Sequence, residues 1–173
     1  MDLSQSIFEL IDMRSFSNLW FWIALAVLWS SASHWVIGVP YDMIMRARRQ
    51  GGQAEEDLQD IVRVNVNRLL YIADVSGLWL IGFGCFLVTG LAVLGFVYNV
   101  EFAQAVFLLG LPMSILFALS MVTSRKIATQ GLSGEDLRAC LLRHRLYTQM
   151  LGVVSIFLTA MWGMYQNLSF GVL

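Results

Sequence analysis

Apolar and polar positions in this chain come in long blocks rather than in residue-by-residue alternation. Apolar blocks cover 19–37, 76–98, 102–122 and 148–168, and none of them contains Asp, Glu, Lys or Arg. Each is about 19 to 23 residues long, which at 1.5 Å per residue is roughly 28 to 35 Å of helix. That matches the hydrocarbon thickness of a bilayer, about 30 Å. A helix satisfies its own backbone in lipid, so the pattern predicts four transmembrane helices.

The polar stretches between them are also helical in period. In "AEEDLQDIVRVNVNRLLYIADVSGLW" the apolar residues Leu58, Val62, Leu69, Ile72 and Trp79 recur on one stripe, as in a helix with one buried face. Gly51 and Gly52 mark the turn before it, and Glu55, Glu56 and Asp57 suit the positive end of a helix. In "TSRKIATQGLSGEDLRACLLRHRLY" a Gly-containing turn precedes a second stripe, Leu137, Cys140, His144, Tyr147 and Leu151. Pro40 ends or kinks the first span. The expected fold is all-α: one integral membrane domain over 1–173, its four transmembrane helices arranged as two hairpins, with helical extensions at 41–75 and 123–147 that meet outside the lipid as a four-helix bundle.

Composition agrees, since 58% of the residues are apolar and 13% charged, about half the charge of a soluble domain. The net charge of −1 hides a strong asymmetry. Ten of the 11 Lys and Arg residues fall in 41–75 and 123–147, with Arg14 as the exception. Basic loops stay cytoplasmic, so the two extensions are expected on the cytoplasmic side, and both termini and the link at 99–101 on the far side. Nothing in this charge pattern suggests nucleic-acid binding. The two cysteines, Cys85 in a span and Cys140 in a basic segment, are too few for a cysteine cluster or zinc site.

Small residues recur every four positions at Gly110, Ser114 and Ala118, at Ser155, Thr159 and Gly163, and at Ala26 and Ser30. Such seams let helices approach closely where no water drives association, and are expected to pack helices. His34 continues the Ala26–Ser30 spacing, so it is expected to face the bundle. There it fits either an interior histidine bonded to a polar neighbour or, alternatively, a single axial ligand to a haem or pigment. No catalytic constellation or metal site is present in the sequence, and no cofactor or enzymatic activity is expected. Arg46, Arg48, Arg49, Arg138, Arg143 and Arg145 are the candidates for docking a partner or acidic headgroups. The opening "SIFELIDMRSF" reads as an amphipathic piece lying on the outer surface through Ile7, Phe8, Ile11 and Phe16.

The stretches "IDMRSFSNLWFWIALAV", "SASHWVIGVPYDM", "RARRQGGQAEEDL", "VNRLLYIADVSGLW" and "MWGMYQNLS" resemble small four-span inner-membrane proteins of photosynthetic and marine alphaproteobacteria labelled a component of the SufBCD complex. The resemblance covers most of the chain. It implies a bacterial inner (cytoplasmic) membrane, so that the far side on which the charge pattern places both termini is the periplasm, and a link to iron–sulfur assembly. With no cluster ligands to hold iron, the expected role is a non-catalytic scaffold or accessory partner, bound to the lipid bilayer and to another protein or complex. The alternative is a small accessory subunit packed by its membrane face against a larger respiratory or photosynthetic complex.

Overall fold

The computed structural model describes residues 15–17 and 19–170. A 3-10 turn, Ser15–Ser17, precedes helix α1, Leu19–His34. Two short strands, β1 (Trp35–Val36) and β2 (Val39–Pro40), lead to α2, Tyr41–Gln50, and α3, Gln53–Ala92, which continues into a π-helical turn, Val93–Val97. Helices α4, Glu101–Gln130, and α5, Gly134–Phe170, complete the fold. Most of the opening amphipathic piece, including Ile7, Phe8 and Ile11, lies outside the described residues. Three helices, α3 with its π turn, α4 and α5, are long and apolar enough to cross a membrane, whereas α1 is a shorter apolar helix of 16 residues.

The first apolar block does not stay helical to residue 37. The chain leaves the helix after His34 because residues 35–40 form an antiparallel hairpin, Trp35 opposite Pro40 and Val36 opposite Val39. Its central pair, Ile37 and Gly38, has φ of 53° and 74°, the positive values that a tight hairpin turn demands. Glycine adopts that conformation freely, but a β-branched residue does not, and the strain at Ile37 costs on the order of 1–2 kcal/mol. Burial offsets it: Ile37 is 6% exposed and packs with Val36 and Val39 in the core. Asn65 of α3 fixes the turn from outside, its Nδ2 donating to the Gly38 carbonyl at 3.0 Å. Pro40 therefore stands before α2, at φ −61° and ψ 138°, rather than at the end of α1.

Helix α1 packs on α5, α5 on α4 and α4 on α3, while α2 lies against α3 and α5. The two ends of this assembly are built on opposite rules. At one end a conventional hydrophobic core gathers Val39, Ile44, Leu58, Val62, Val66, Ile127, Leu137 and Leu141, with charged residues such as Glu56, Asp57 and Arg63 outside. The expected stripes hold there in part. Leu58 and Val62 are buried, but the stripe continues through Val66, and Trp79 is 82% exposed. On α5 the buried face is Leu137, Leu141, His144 and Thr148, with Tyr147 turned out.

At the other end the pattern inverts. Leu78, Phe83, Phe86, Val153 and Phe157 are exposed, whereas the buried face of α5 consists of Thr148, Gly152, Ser155, Thr159 and Gly163. Small and hydroxyl-bearing residues face inward, and large apolar ones face out. Water would favour the reverse arrangement.

Candidate functional site

The structure brings together only some of the residues that the sequence singles out. Ala26, Ser30 and His34 are exposed on α1; the buried side chains of that helix are Leu25 and Trp29. The small-residue side therefore turns away from the bundle, correcting the expected orientation. The reason lies on α5, where Gly152 leaves room for the Trp29 indole: a Cβ there would sit 2.9 Å from Trp29 Cε3. His34 meets the edge of Trp35, ring centroids 5.9 Å apart. Among the described residues no three His, Cys, Asp or Glu side chains converge on a metal-sized site.

The two longer small-residue seams have different fates. Ser155 and Thr159 are 5% and 0% exposed, and Gly163 abuts Phe16 and Trp22. Gly110, in contrast, has no atom within 4 Å of where a Cβ would lie, and Ser114 and Ala118 are exposed. Ser114 Oγ donates to the Gly110 carbonyl of its own helix at 2.8 Å. No helix of this chain covers the Gly110–Ser114–Ala118 face within the described residues.

The six candidate docking arginines also divide. Arg138 is used internally, its Nη1 2.6 Å from Glu55 Oε1, where it joins the start of α5 to the start of α3. Arg145 is used twice: Nε donates to the Ser33 carbonyl at 3.3 Å, and the guanidinium lies 3.6 Å from the centre of the Tyr41 ring. A cation on the last carbonyls of α1 suits the negative end of that helix, and the ring face adds a cation–π contact. Arg46 donates to Gln50 within α2 at 3.0 Å. It is exposed, as are Arg48, Arg49 and Arg143.

His144 occupies the level where the two kinds of core meet, just before the apolar block at 148–168. It is 3% exposed. Its Nδ1 lies 3.1 Å from Thr123 Oγ1 and its Nε2 3.4 Å from Ser120 Oγ, both on α4. Each hydroxyl already donates to a carbonyl four residues back, Thr123 to Leu119 and Ser120 to Leu116, at 2.9 Å. A hydroxyl has one proton, so Thr123 accepts from the ring at the shorter contact, which makes Nδ1–H the donor. Burial pushes the His144 pKa below the ordinary 6.5, because a charged imidazolium loses its hydration there. The sequence places His144 on a buried stripe, but only the fold supplies Ser120 and Thr123.

A second polar knot, missed from the sequence, lies at the opposite end of α4. Gln104 is 1% exposed; its Nε2 donates to the Gly95 carbonyl at 2.7 Å. Its Oε1 accepts from Trp162 Nε1 at 3.0 Å and from Gln166 Nε2. The Gly95 carbonyl stands in the π turn, and the glycine permits the close approach, since a Cβ there would fall 3.0 Å from Gln104 N. Beside it Glu101 Oε1 accepts from the Phe16 backbone N–H at 2.8 Å, and Trp22 Nε1 donates to the Phe16 carbonyl at 3.0 Å. The available signal was a single amide side chain in the otherwise apolar stretch 102–113. A buried amide requires partners.

Taken together, these contacts fasten helices to one another: a neutral imidazole against two hydroxyls, one amide hub and the ion pair of Arg138 with Glu55. Compared with known proteins, the chain matches no family model, no curated protein and no solved structure.

Proposed function

We propose that the chain is a non-catalytic membrane scaffold, with four helices in lipid and a water-side platform that docks a partner protein. The observation that carries this reading is the inversion of burial along α5, from Leu137 and Leu141 inside at one end to Ser155 and Thr159 inside, with Val153 and Phe157 outside, at the other. One solvent does not favour both patterns. Water around the first half and hydrocarbon around the second favours each.

The contact register supports counting α1 as a fourth span. Arg145 meets Ser33, Gly152 meets Trp29, and Gly163 meets Trp22 and Phe16. The two helices therefore run antiparallel over residues 145–163 of α5, a depth of about 27 Å. The basic residues gathered in 41–75 and 123–147 support a cytoplasmic platform. On that platform Arg46, Arg48 and Arg49 of α2 are exposed, while Ile44 and Ala47 are buried. A groove of about 480 Å³ opens between α3 and the α4–α5 turn, with Val62, Val66 and Ile127 on its floor and Asp60, Arg63 and Asn67 at its rim. The resemblance noted above makes an iron–sulfur assembly system of a bacterial inner membrane the first partner to try.

Affinity purification in mild detergent at low salt tests this reading. It stands if a soluble assembly co-purifies and is lost in an Arg46→Gln/Arg48→Gln/Arg49→Gln variant; it falls if the bound fraction is the same without those side chains. Reporters fused to residue 173 and to the Gly51–Gly52 turn test the threading, the expected result being opposite sides of the membrane.

A second reading, an accessory subunit of a larger membrane complex, is favoured by the uncovered Gly110–Ser114–Ala118 face. Under it the protein migrates with a large complex on a native gel of gently solubilised membranes, and a Gly110→Leu variant migrates free.

A further inference from the structure

The exposed basic residues outside α2 include three, Arg125, Lys126 and Arg143, close to one level of the molecule. Ser120 and Thr123 of α4 reach His144 of α5. Arg125 and Lys126 therefore lie roughly 3 to 5 Å beyond that level on α4, and Arg143 beside it on α5. On the antiparallel α3, Arg68 stands eight residues before the apolar block at 76–98, whereas Arg125 stands three beyond the block at 102–122, so Arg68 lies roughly 8 Å farther out.

Each of the three has exposed apolar side chains within two turns, on the side of the inverted half. Lys126 is preceded by Val122, 66% exposed; Arg143 is followed by Leu146, Tyr147 and Met150. The acids near this level are Asp42 and Asp74, whereas Glu56, Asp57, Asp60, Glu135 and Asp136 lie farther out, at the starts of α3 and α5. A ligand for this surface needs a negative head and a long apolar body in line with the helix axes. An acidic protein surface supplies the first and lacks the second.

We infer that Arg125, Lys126 and Arg143 form a collar that binds the phosphate headgroups of anionic phospholipids, whose chains lie along Val122, Tyr147 and Met150. The inference rests on the membrane reading above and is independent of the docked partner. Native mass spectrometry of the detergent-solubilised full chain, titrated with phosphatidylglycerol or phosphatidylcholine, tests it. The expected result is preferential retention of phosphatidylglycerol, reduced about thirtyfold in Arg125→Gln/Lys126→Gln and unchanged in Arg46→Gln/Arg48→Gln. Inorganic phosphate at equal concentration is expected neither to bind nor to compete.

Equal retention of both lipids by the wild-type chain overturns the collar while leaving the membrane reading intact. Retention of neither lipid overturns both. Loss in the α2 variant instead of the collar variant, or competition by inorganic phosphate, also overturns the assignment. Far-UV circular dichroism of both variants establishes that the helices are retained, and the wild-type lipid preference decides the matter if a variant does not fold.

Discussion

Trp29 of α1 and Gly152 of α5 meet so closely that a methyl group on the glycine would sit 2.9 Å from the indole ring. That contact turns α1 so that Leu25 and Trp29 face the bundle and Ser30 and His34 do not. Replacing Gly152 by Ala gains about 1 kcal/mol of helix propensity but overpacks the ring at about 1–3 kcal/mol. The net expectation is a loss of up to about 2 kcal/mol, read as a lower thermal midpoint in detergent. Gly110→Ala gains the propensity and meets nothing, so its midpoint stays level or rises. An equal response at the two glycines would contradict the packing described.

Gln104 ties three elements together through a single amide. In Gln104→Leu the Trp162 indole N–H and the Gly95 carbonyl lose their Gln104 partner at once. An unpaired buried polar group costs about 1–3 kcal/mol, so a total of roughly 2 kcal/mol or more is expected. A shift in Trp162 emission should accompany it, measured in a variant whose other tryptophans are replaced by Phe. Unchanged stability and emission would show that the knot does not hold.

His144 makes stability depend on pH, with a definite sign. Its folded pKa lies below the 6.5 of the unfolded chain, so below that pH the unfolded state binds a proton that the folded state does not. Its contribution is fully present above about pH 6.5 and declines as pH falls toward the folded pKa. His144→Gln is expected to flatten the fall in thermal midpoint on that acid side. Nitrogen chemical shifts of the ring should report Nδ1–H at neutral pH. A wild-type midpoint that rises on acidification through this range would reverse the assignment.

Ile37 poses a contest between strain and burial. An Asn there suits positive φ and recovers about 1 kcal/mol, yet removing a fully buried Ile from the core forfeits about 1.5–3 kcal/mol. Burial wins, and Ile37→Asn should destabilise by roughly 0.5–2 kcal/mol. Urea or mild sodium dodecyl sulfate unfolding monitored by circular dichroism measures it; a more stable Asn variant would mean that strain dominates the turn.

How much of this was legible in the sequence differs from one element to the next. The lengths of α3, α4 and α5, the breaks at Gly51–Gly52 and Gly131, and the helical polar segments were readable because each depends on local composition and turn chemistry. Gly131, with φ 58° and ψ 38°, ends α4 as a left-handed cap, and Leu132 N donates to the Ile127 carbonyl at 3.2 Å. The early end of α1 was not readable. Residues 35–37 are as apolar as those before them, and only the burial of Ile37 and the Asn65 bond to Gly38 make the hairpin preferable.

The sequence by itself determined that this is a helical chain with membrane-length apolar segments, and that its charges collect between them, because both properties are sums over neighbouring residues. The tertiary structure alone decided which face of each helix is inside, which arginines are consumed by Glu55, Ser33 and Tyr41, and which glycine seam is filled. A helix apolar around its whole circumference, as α1 is, carries no rotational preference of its own. Its orientation is set by where the Trp29 ring finds a glycine.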